Sequence, residues 1–276
     1  MEKRRFGRTG REVTILGLGG EGILRTYGYE GEAIALINRA LELGINYMES
    51  ARAYAGSESY YGKALGARRK RIFLASKSHG RTRKEALGHL QQSLLNLKTD
   101  YLDLWQMHDV RTEEEARELF GPGGAYEAFT EAREKGLARF IGITGHRDPS
   151  VLRRCIEDYE FDTVLIPVNA AEPANNDFIS QVVPAARKKG MAVIGMKVYL
   201  RGLLTRLPGV KNLEPFFRFA LSQDVSNIVI GCDDLAQLEE NAGFARDFRP
   251  MPPEEQEDLA ESLAPVAKRL TYYKSV

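Results

Sequence analysis

Short apolar runs alternate along the chain with longer segments in which apolar residues recur every three or four positions. The short runs are typical of parallel strands buried on both faces, and the longer segments are typical of amphipathic helices. The predicted strands are VTILGLG, INYMES, RIFLASK, YLDLWQMH, ARFIGIT, DTVLIPVN, MAVIGMKV and SNIVIGC. The helices predicted to follow them are EAIALINRALELG, SESYYGKALG, TRKEALGHLQQSLLNL, AYEAFTEAREKG, DPSVLRRCIEDY, DFISQVVPAARKKG, LEPFFRFALSQ and LAQLEENAGFARDF.

Eight strand–helix units in about 250 residues have the size of a TIM barrel. We therefore predict an α/β protein with one (β/α)8 domain over residues 1–276. The segment FGRTGREV predicts an N-terminal β-hairpin, and residues near 253–270 predict an extra C-terminal helix. A doubly wound sheet in two domains is the alternative. It would more naturally show a change of composition near the middle of the chain, and we see none.

The glycine-rich stretch GLGGEG at residues 17–22 matches the G-x-G-x-x-G pattern of Rossmann dinucleotide-binding folds. That motif should open a helix at once, yet Gly28 and Gly31 follow before helical spacing starts. Its acidic residue should come about 20 residues later, whereas Glu49 lies 27 residues beyond Gly22. We therefore favour a glycine-rich loop at the mouth of a barrel.

Composition narrows the class of protein. With 43% hydrophobic and 28% charged residues, the chain can form a sizeable core. A net charge of +1 gives no reason to expect nucleic acid or an anionic membrane as a partner, and the basic run at 68–71 predicts a solvated turn. Cys155 and Cys232 lie far apart in sequence, which fits a reducing compartment better than a disulfide framework.

The N-terminus MEKRRFGRTG has no apolar stretch behind its charges, unlike a signal peptide. No apolar run approaches the about 18 residues that a membrane helix needs. We therefore expect a cytoplasmic protein without a metal site, and the sequence leaves its oligomeric state open.

Polar side chains stand where the predicted strands end, which is where TIM barrels carry their catalytic groups. These strand-end residues are Glu49, Lys77, His108, Thr144, Asn169, Lys197 and Cys232. Tyr54 follows in the loop after the second strand. Each residue alone is compatible with an ordinary solvated or packing role. A barrel, however, would bring an acid, a phenol, an ammonium and an imidazole to one rim.

That combination suits the reduction of a carbonyl group. A phenol has an ordinary pKa of about 10, and a neighbouring Lys77 ammonium would favour the phenolate and lower it. Tyr54 could then donate a proton to a carbonyl oxygen as hydride arrives at the carbon. Glu49 would anchor Lys77, and His108 could orient the carbonyl.

These residues resemble the aldo-keto reductase family, whose pattern places Asp-Thr-Ala-x-x-Tyr after the second strand, lysine at the end of the third and histidine at the end of the fourth. The matching stretches here are ESARAY, LASK and DYLDLWQMH, with QLEEN later in the chain. The resemblance covers nearly the whole chain. It implies a TIM barrel, NADP(H) or NAD(H), and a small-molecule carbonyl substrate. Glu49 replaces the family's aspartate and is longer by one methylene group.

The resemblance also implies a set of cofactor-binding positions. The family's asparagine after the fifth strand and glutamine in the sixth are missing, but Thr144 and Asn169 are possible substitutes. Met196 stands where the family has an aromatic residue that stacks on nicotinamide. The full predicted set is Gly19, Gly20, Thr144, Asn169, Met196, Lys197, Arg201, Gly202, Leu203, Cys232, Asp233, Gln237, Glu240 and Asn241.

Residues 229–245, where the family holds the 2′-phosphate of NADPH, contain no Lys or Arg. This absence favours NAD(H) over the family's usual NADP(H), unless Asp233 and Asp234 merely cap the following helix. We predict an NAD(P)H-dependent oxidoreductase that interconverts an aldehyde or ketone and its alcohol. The alternatives are a nicotinamide-dinucleotide sensor or regulatory subunit with little turnover and, with less support, another barrel enzyme such as a phosphate-binding lyase. The chain ends soon after the last predicted helix, at RLTYYKSV, so we expect a short C-terminal loop and an open substrate pocket.

Overall fold

A closed barrel of parallel strands forms the centre of the molecule, and a short antiparallel hairpin precedes it. The structure, a computed structural model, describes residues 1–275. The hairpin strands are β1 (Lys3–Arg5) and β2 (Glu12–Thr14). Among the described residues, the barrel strands are β3 (Leu16–Gly22), β4 (Tyr47–Glu49), β5 (Phe73–Ser78), β6 (Leu102–Met107), β7 (Ala138–Thr144), β8 (Thr163–Pro167), β9 (Ala192–Met196) and β10 (Asn227–Cys232). They are hydrogen-bonded in sequence order and β10 closes on β3, which confirms the predicted barrel and excludes the doubly wound sheet.

Helices follow the barrel strands and cover their outer faces. In the described part of the chain they are α1 (Glu30–Glu42), α2 (Ser57–Ala64), α3 (Arg83–Leu97), α4 (Glu113–Phe120), α5 (Ala125–Glu134), α6 (Pro149–Asp158), α7 (Phe178–Lys188), α8 (Glu214–Ser222), α9 (Leu235–Arg246), α10 (Pro253–Leu263) and α11 (Ala267–Leu270). Asp148 caps α6 and Pro149 occupies its first turn.

Three boundaries differ from the sequence prediction. The run VTILGLG is divided, because Val13 and Thr14 pair with β1 and the barrel strand begins only at Leu16. Helix α4 was not among the predicted helices, because it is only eight residues long and buries only Ala116 and Leu119. The last predicted helix is divided into α10 and α11 by a 3-10 turn that contains Pro265, which has no N–H for the helical ladder.

An aromatic layer fills the lower part of the barrel. Phe6, directly after β1 in the hairpin turn, packs against Tyr47 and Phe73, with ring centroids 5.6 and 4.9 Å away. Tyr47 stacks on Phe73 at 5.7 Å, and all three residues are buried. This layer closes the barrel from below and leaves polar side chains to occupy its upper part.

Candidate active site

The two-residue period of the strands brings several polar side chains into the upper part of the barrel. Tyr47 and Leu104 belong to the buried cluster at its floor. Glu49 and Gln106 lie two residues further along the same strands and therefore face the same side. Lys77, in β5, reaches the same space and pairs with Gln106 in the strand register.

The carboxylate of Glu49 is the centre of this polar layer. Its Oε1 lies 2.7 Å from Lys77 Nζ, and its Oε2 accepts hydrogen bonds from Tyr47 Oη at 3.1 Å and Gln106 Nε2 at 3.0 Å. Lys77 Nζ also donates to the carbonyl oxygen of Ser50 at 2.9 Å. Because the Lys77 and Glu49 side chains are only 1% and 4% exposed, each charge depends on the other for compensation.

The longer side chain of Glu49 therefore does not prevent the ion pair. Both carboxylate oxygens have partners. One of these partners is Gln106, which the sequence analysis did not identify. Its position two residues after Leu104 and two before His108 in an alternating strand was the available signal.

The ring of Tyr54 lies among charged and aromatic groups at the mouth. Lys77 Nζ is 4.9 Å from the ring centroid, and the guanidinium carbon of Arg25 is 4.8 Å from it. The imidazole of His108 stands edge-on at 5.8 Å between centroids. Tyr54, Lys77 and His108 thus converge as predicted, and Arg25 is an addition that the sequence did not reveal.

The electrostatic environment of Tyr54 differs from the expectation. Burial raises the pKa of this phenol well above its ordinary value of 10.0, and the negative charges of Glu21 and Glu49 raise it further, while Arg25 lowers it. The lowering by Lys77 that we expected is therefore not the dominant effect in this structure. Glu49 compensates the Lys77 ammonium, which lies over the ring.

His108 is held in its neutral form. Burial lowers its pKa well below 6.5, and the nearby Lys77 ammonium lowers it further. Its backbone N–H donates to the Ser78 carbonyl oxygen at 2.9 Å and fixes the chain at the end of β6. A neutral imidazole retains one N–H that can donate a hydrogen bond to an oxygen in the mouth.

Thr144 and Asn169, the predicted carboxamide partners, are already engaged within the protein. Thr144 Oγ1 accepts from the Asp109 backbone N–H at 2.8 Å. Asn169 Nδ2 donates to Tyr273 Oη at 3.1 Å and to the Lys197 carbonyl oxygen at 3.3 Å. Both residues lie at the rim where predicted, but a ligand would have to share these hydrogen bonds.

Asp109 forms a charged network that the sequence analysis missed. Its carboxylate pairs with His146 Nε2 at 2.9 Å and with Arg111 Nε at 2.7 Å. Burial alone would raise the pKa of Asp109, but His146 and Arg111 outweigh it and hold it well below the ordinary value. The network thus links three side chains beside His108.

Five of the predicted residues lie at the end of β9 and in the loop that follows it. Met196 is partly buried against the floor cluster, as an inward-facing residue should be. Lys197 and Arg201 both have left-handed backbone conformations, with φ of 58° and 57°, which are uncommon outside glycine. The amides of Gly202 and Leu203 donate to carbonyl oxygens within the loop, at 2.9 and 3.2 Å, so these two donors are not free for a phosphate in this structure.

Lys197 is a partly buried cation of the rim. Within residues 1–275 it forms no ion pair, and its Nζ lies 5.2 Å from the centroid of the Tyr273 ring. Burial lowers its pKa to about 8, while the charge of Glu21 acts in the opposite direction.

The predicted residues at the start of α9 mainly hold the helix. Asp234 is its N-cap, and its side chain accepts a hydrogen bond from the Gln237 backbone N–H at 2.8 Å. In turn, Gln237 Oε1 accepts a hydrogen bond from the Asp233 backbone N–H at 2.9 Å. Capping is thus one role of Asp234, the alternative that the sequence left open. Asn241 accepts from Tyr199 Oη at 2.5 Å.

The remaining predicted residues differ in accessibility. Cys232 is buried, and its sulfur lies 3.8 Å from Asn241 Nδ2. Glu240 is exposed.

Gly19 and Gly20 lie inside β3, not in a loop, which corrects our description of this stretch. A Cβ atom on Gly20 would stand 2.6 Å from Ser57 Oγ and 2.7 Å from the Glu49 carbonyl oxygen. Glycine is therefore required where β3 passes close to its neighbours. The Rossmann interpretation is wrong, because β3 is a barrel strand and leads into a single 3-10 turn.

The C-terminal segment is anchored to the rim, which the sequence did not predict. Tyr273 Oη donates to Glu172 Oε1 at 2.6 Å, and Lys274 Nζ pairs with Glu172 Oε2 at 2.7 Å. The backbone oxygen of Tyr273 lies 3.2 Å from His146 Nδ1. The segment is packed into the mouth beside Asn169, whereas we expected an open substrate pocket.

Comparison with known proteins agrees with this geometry. The model of the aldo/keto reductase family matches residues 15–209, which is well over half of the chain. The chain belongs to the aldo-keto reductase family. Aldo-keto reductase AKR11C1 from Bacillus halodurans, in its holo form, superposes with a TM-score of 0.78 at 25% identity, covering 96% of each chain. L-galactose dehydrogenase of Arabidopsis thaliana is 26% identical over 99% of this chain and 97% of its own. An uncharacterized Bacillus subtilis oxidoreductase, YqkF, is 27% identical over 75% of this chain and 68% of its own.

This aldo-keto reductase is an NAD(P)-dependent oxidoreductase, as the family and its oxidoreductase relatives indicate. A small-molecule carbonyl substrate fits the family. Helices long and apolar enough to cross a membrane are not found in residues 1–275.

Proposed function

We propose that this aldo-keto reductase reduces a small aldehyde or ketone with NADH or NADPH, and that Tyr54 is the general acid. The observation that carries the proposal is the buried Lys77–Glu49 pair beneath Tyr54, with the neutral His108 beside the same ring. When bound, the nicotinamide supplies the hydride in reduction and accepts it in oxidation.

The four residues have distinct roles in this proposal. His108 donates a hydrogen bond to the carbonyl oxygen and orients it, which a neutral imidazole can do without losing a proton. Tyr54 donates its proton to the same oxygen as the negative charge develops there. Lys77 fixes the ring of Tyr54 through its ammonium, and Glu49 fixes Lys77.

The charges of the rim are suited to a dinucleotide. Lys197 has no ion pair among the described residues, and Arg201 follows in the same loop, so an anionic pyrophosphate would supply the missing countercharge. Met196, facing the interior of the barrel, offers a polarizable side chain against which a ring can pack.

A spectrophotometric screen tests the proposed activity. NADH and NADPH oxidation should be measured against a panel of aldehydes and ketones, and NAD+ and NADP+ reduction against alcohols and sugars, including the L-galactose in the name of the Arabidopsis relative. We expect turnover with at least one carbonyl compound. Tight cofactor binding with no turnover across the panel would contradict the proposal.

That contrary outcome would instead support a nicotinamide-dinucleotide sensor with little or no turnover. One observation favours this second candidate: the pKa of Tyr54 is raised, and Lys77 lies over its ring and is compensated by Glu49. Cofactor binding measured on the same sample, by quenching of protein fluorescence, separates a sensor from a protein that binds no dinucleotide.

We further propose that NADPH binds less than ten-fold more tightly than NADH. Residues 229–245 have no Lys or Arg, and the 2′-phosphate of NADPH carries nearly two negative charges. Glu32, Asp233 and Asp234 line one cavity of about 390 Å³ beside the N-terminus of α9, so the local charge is negative. Fluorescence titration gives the two dissociation constants.

A charge reversal provides the matched test. Asp233→Lys should tighten NADPH binding several-fold and leave NADH binding nearly unchanged. Glu257→Lys, which makes the same charge change on the exposed face of α10, should affect neither cofactor. Binding of NADPH more than ten-fold tighter than NADH in the unmodified protein would contradict the proposal and would call for a base outside residues 229–245, such as Arg246.

A further inference from the structure

The chain enters a left-handed backbone conformation directly after His108. Asp109 has φ of 58°, which is uncommon for a residue with a side chain, although aspartate tolerates it better than most. Such conformations cost free energy, persist only where the surrounding structure imposes them, and cluster at active sites. Strand β6 ends at Met107, so this turn lies beyond the strand and needs contacts of its own.

Backbone hydrogen bonds tie the turn to the strands on both sides. The His108 N–H donates to the Ser78 carbonyl oxygen of β5 at 2.9 Å, and the Val110 N–H donates to the Thr144 carbonyl oxygen of β7 at 2.8 Å. The Asp109 N–H donates to Thr144 Oγ1, also at 2.8 Å. These bonds use the N–H groups of the turn, and its carbonyl oxygens need other partners.

Arg81 supplies those partners from the loop between β5 and α3. Its Nη1 donates to the His108 carbonyl oxygen at 2.9 Å, and its Nη2 donates to the Asp109 carbonyl oxygen at 2.8 Å. The same Nη2 lies 3.0 Å from Glu115 Oε2 in α4, which compensates the charge. Because a guanidinium is planar and its donors are fixed, one arginine can hold two successive carbonyl groups in a defined relative orientation.

The side chain of Asp109 adds a second set of contacts. Its carboxylate lies 2.7 Å from Arg111 Nε and 2.9 Å from His146 Nε2, and the side chain is only 14% exposed. His146 follows β7, and its other ring nitrogen lies 3.2 Å from the backbone oxygen of Tyr273. The turn is therefore held through its backbone by Arg81 and through its side chain by the neighbouring part of the rim.

The side chain that depends on this turn is the imidazole beside the proposed proton donor. The ring of His108 stands edge-on to Tyr54, with centroids 5.8 Å apart and an angle of 82° between the planes. A change of backbone conformation at Asp109 would move the His108 ring relative to Tyr54. A misplacement of about 1 Å in an active site can cost about 100-fold in rate.

We propose that Arg81 and Asp109 are positioning residues for His108: together they hold the left-handed turn that sets the imidazole edge-on to Tyr54. The inference rests on the proposed role of His108 in orienting the carbonyl group. It adds two residues that act on the reaction through the backbone of a third.

The contact between the two rings can be measured without turnover. In protein labelled at histidine and tyrosine, the nuclear Overhauser effect between the ring protons of His108 and Tyr54 reports their separation. Each signal is assigned by its loss in His108→Gln or Tyr54→Phe. We expect Arg81→Lys, which keeps the charge but loses the planar fork, to reduce this effect to less than about half. Asp109→Ala should do the same because alanine disfavours a positive φ, whereas Asp109→Asn tolerates it and should retain most of the effect.

Arg83→Lys is the matched control. Arg83 lies two residues after Arg81, pairs with Glu131, and donates to neither carbonyl oxygen of the turn. It should leave the ring contact unchanged. An unchanged contact in Arg81→Lys and Asp109→Ala, with both proteins folded by circular dichroism, overturns the inference. If Asp109→Ala does not fold, an unchanged contact in Arg81→Lys overturns it alone.

Kinetics provide an independent readout. In carbonyl reduction, Arg81→Lys should lower kcat/KM by about ten-fold or more, while Arg83→Lys should lower it by less than about two-fold. The dissociation constants for NADH and NADPH should stay nearly unchanged in both variants. An unchanged kcat/KM in Arg81→Lys overturns the inference. If the unmodified protein shows no reduction, the proposed function fails, whereas the ring contact still decides whether Arg81 and Asp109 position His108.

Discussion

Tyr54→Phe should lower the rate of carbonyl reduction by about 100-fold to 10,000-fold, the usual contribution of a general acid. The substitution removes the only phenol that contacts both Lys77 and His108 in residues 1–275, while the apolar ring remains. Dissociation constants for NADH and NADPH should stay within about two-fold, because no predicted cofactor contact involves the hydroxyl. Steady-state kinetics and fluorescence titration provide the two measurements.

Tyr60→Phe is the matched control for this substitution. Tyr60 lies six residues after Tyr54, in α2. Its hydroxyl has a single weak partner, the Tyr29 backbone N–H at 3.4 Å. The control should retain activity close to that of the unmodified protein. Turnover in Tyr54→Phe within a few-fold of the unmodified protein would remove Tyr54 from the role of proton donor.

Glu49→Gln should lower the free energy of unfolding by about 3–5 kcal/mol, because it leaves one member of a buried ion pair without its partner. Lys77 is 1% exposed and would keep only the Ser50 carbonyl oxygen and a neutral amide as neighbours. The kcat/KM of carbonyl reduction should also fall, since the Lys77 ammonium would no longer be held beneath Tyr54. Denaturant unfolding gives the first effect, and kcat/KM gives the second.

Glu49→Asp is the control that keeps the negative charge. We expect a smaller loss of stability than in the glutamine variant, because a shorter side chain can keep the Lys77 contact while giving up reach toward Tyr47 or Gln106. Activity should be preserved or raised, since aspartate is the residue found in the family pattern. Equal stability and activity in the glutamine variant and the unmodified protein would show that Lys77 does not need an anion.

The sequence by itself determined the architecture of this protein. Alternation between apolar runs and helical periodicity is a local property, and eight repeats of it are compatible with few folds. Once a barrel is accepted, the end of each strand is known to lie at one rim. Glu49, Lys77 and His108 could therefore be brought together from positions tens of residues apart, and the structure places them within one polar layer.

Tertiary structure alone decided which groups surround those residues. Gln106 donates a hydrogen bond to Glu49, which lies 57 residues away in sequence, and Asn169 donates one to Tyr273, which lies 104 residues away. No local sequence pattern could pair residues so far apart. The pKa of Tyr54 is also a property of the assembled mouth, since burial and the charge of Glu21 raise it against the expected effect of Lys77. Periodicity specifies which face a residue lies on, whereas hydrogen-bond partners and electrostatic environment arise only when distant segments pack together.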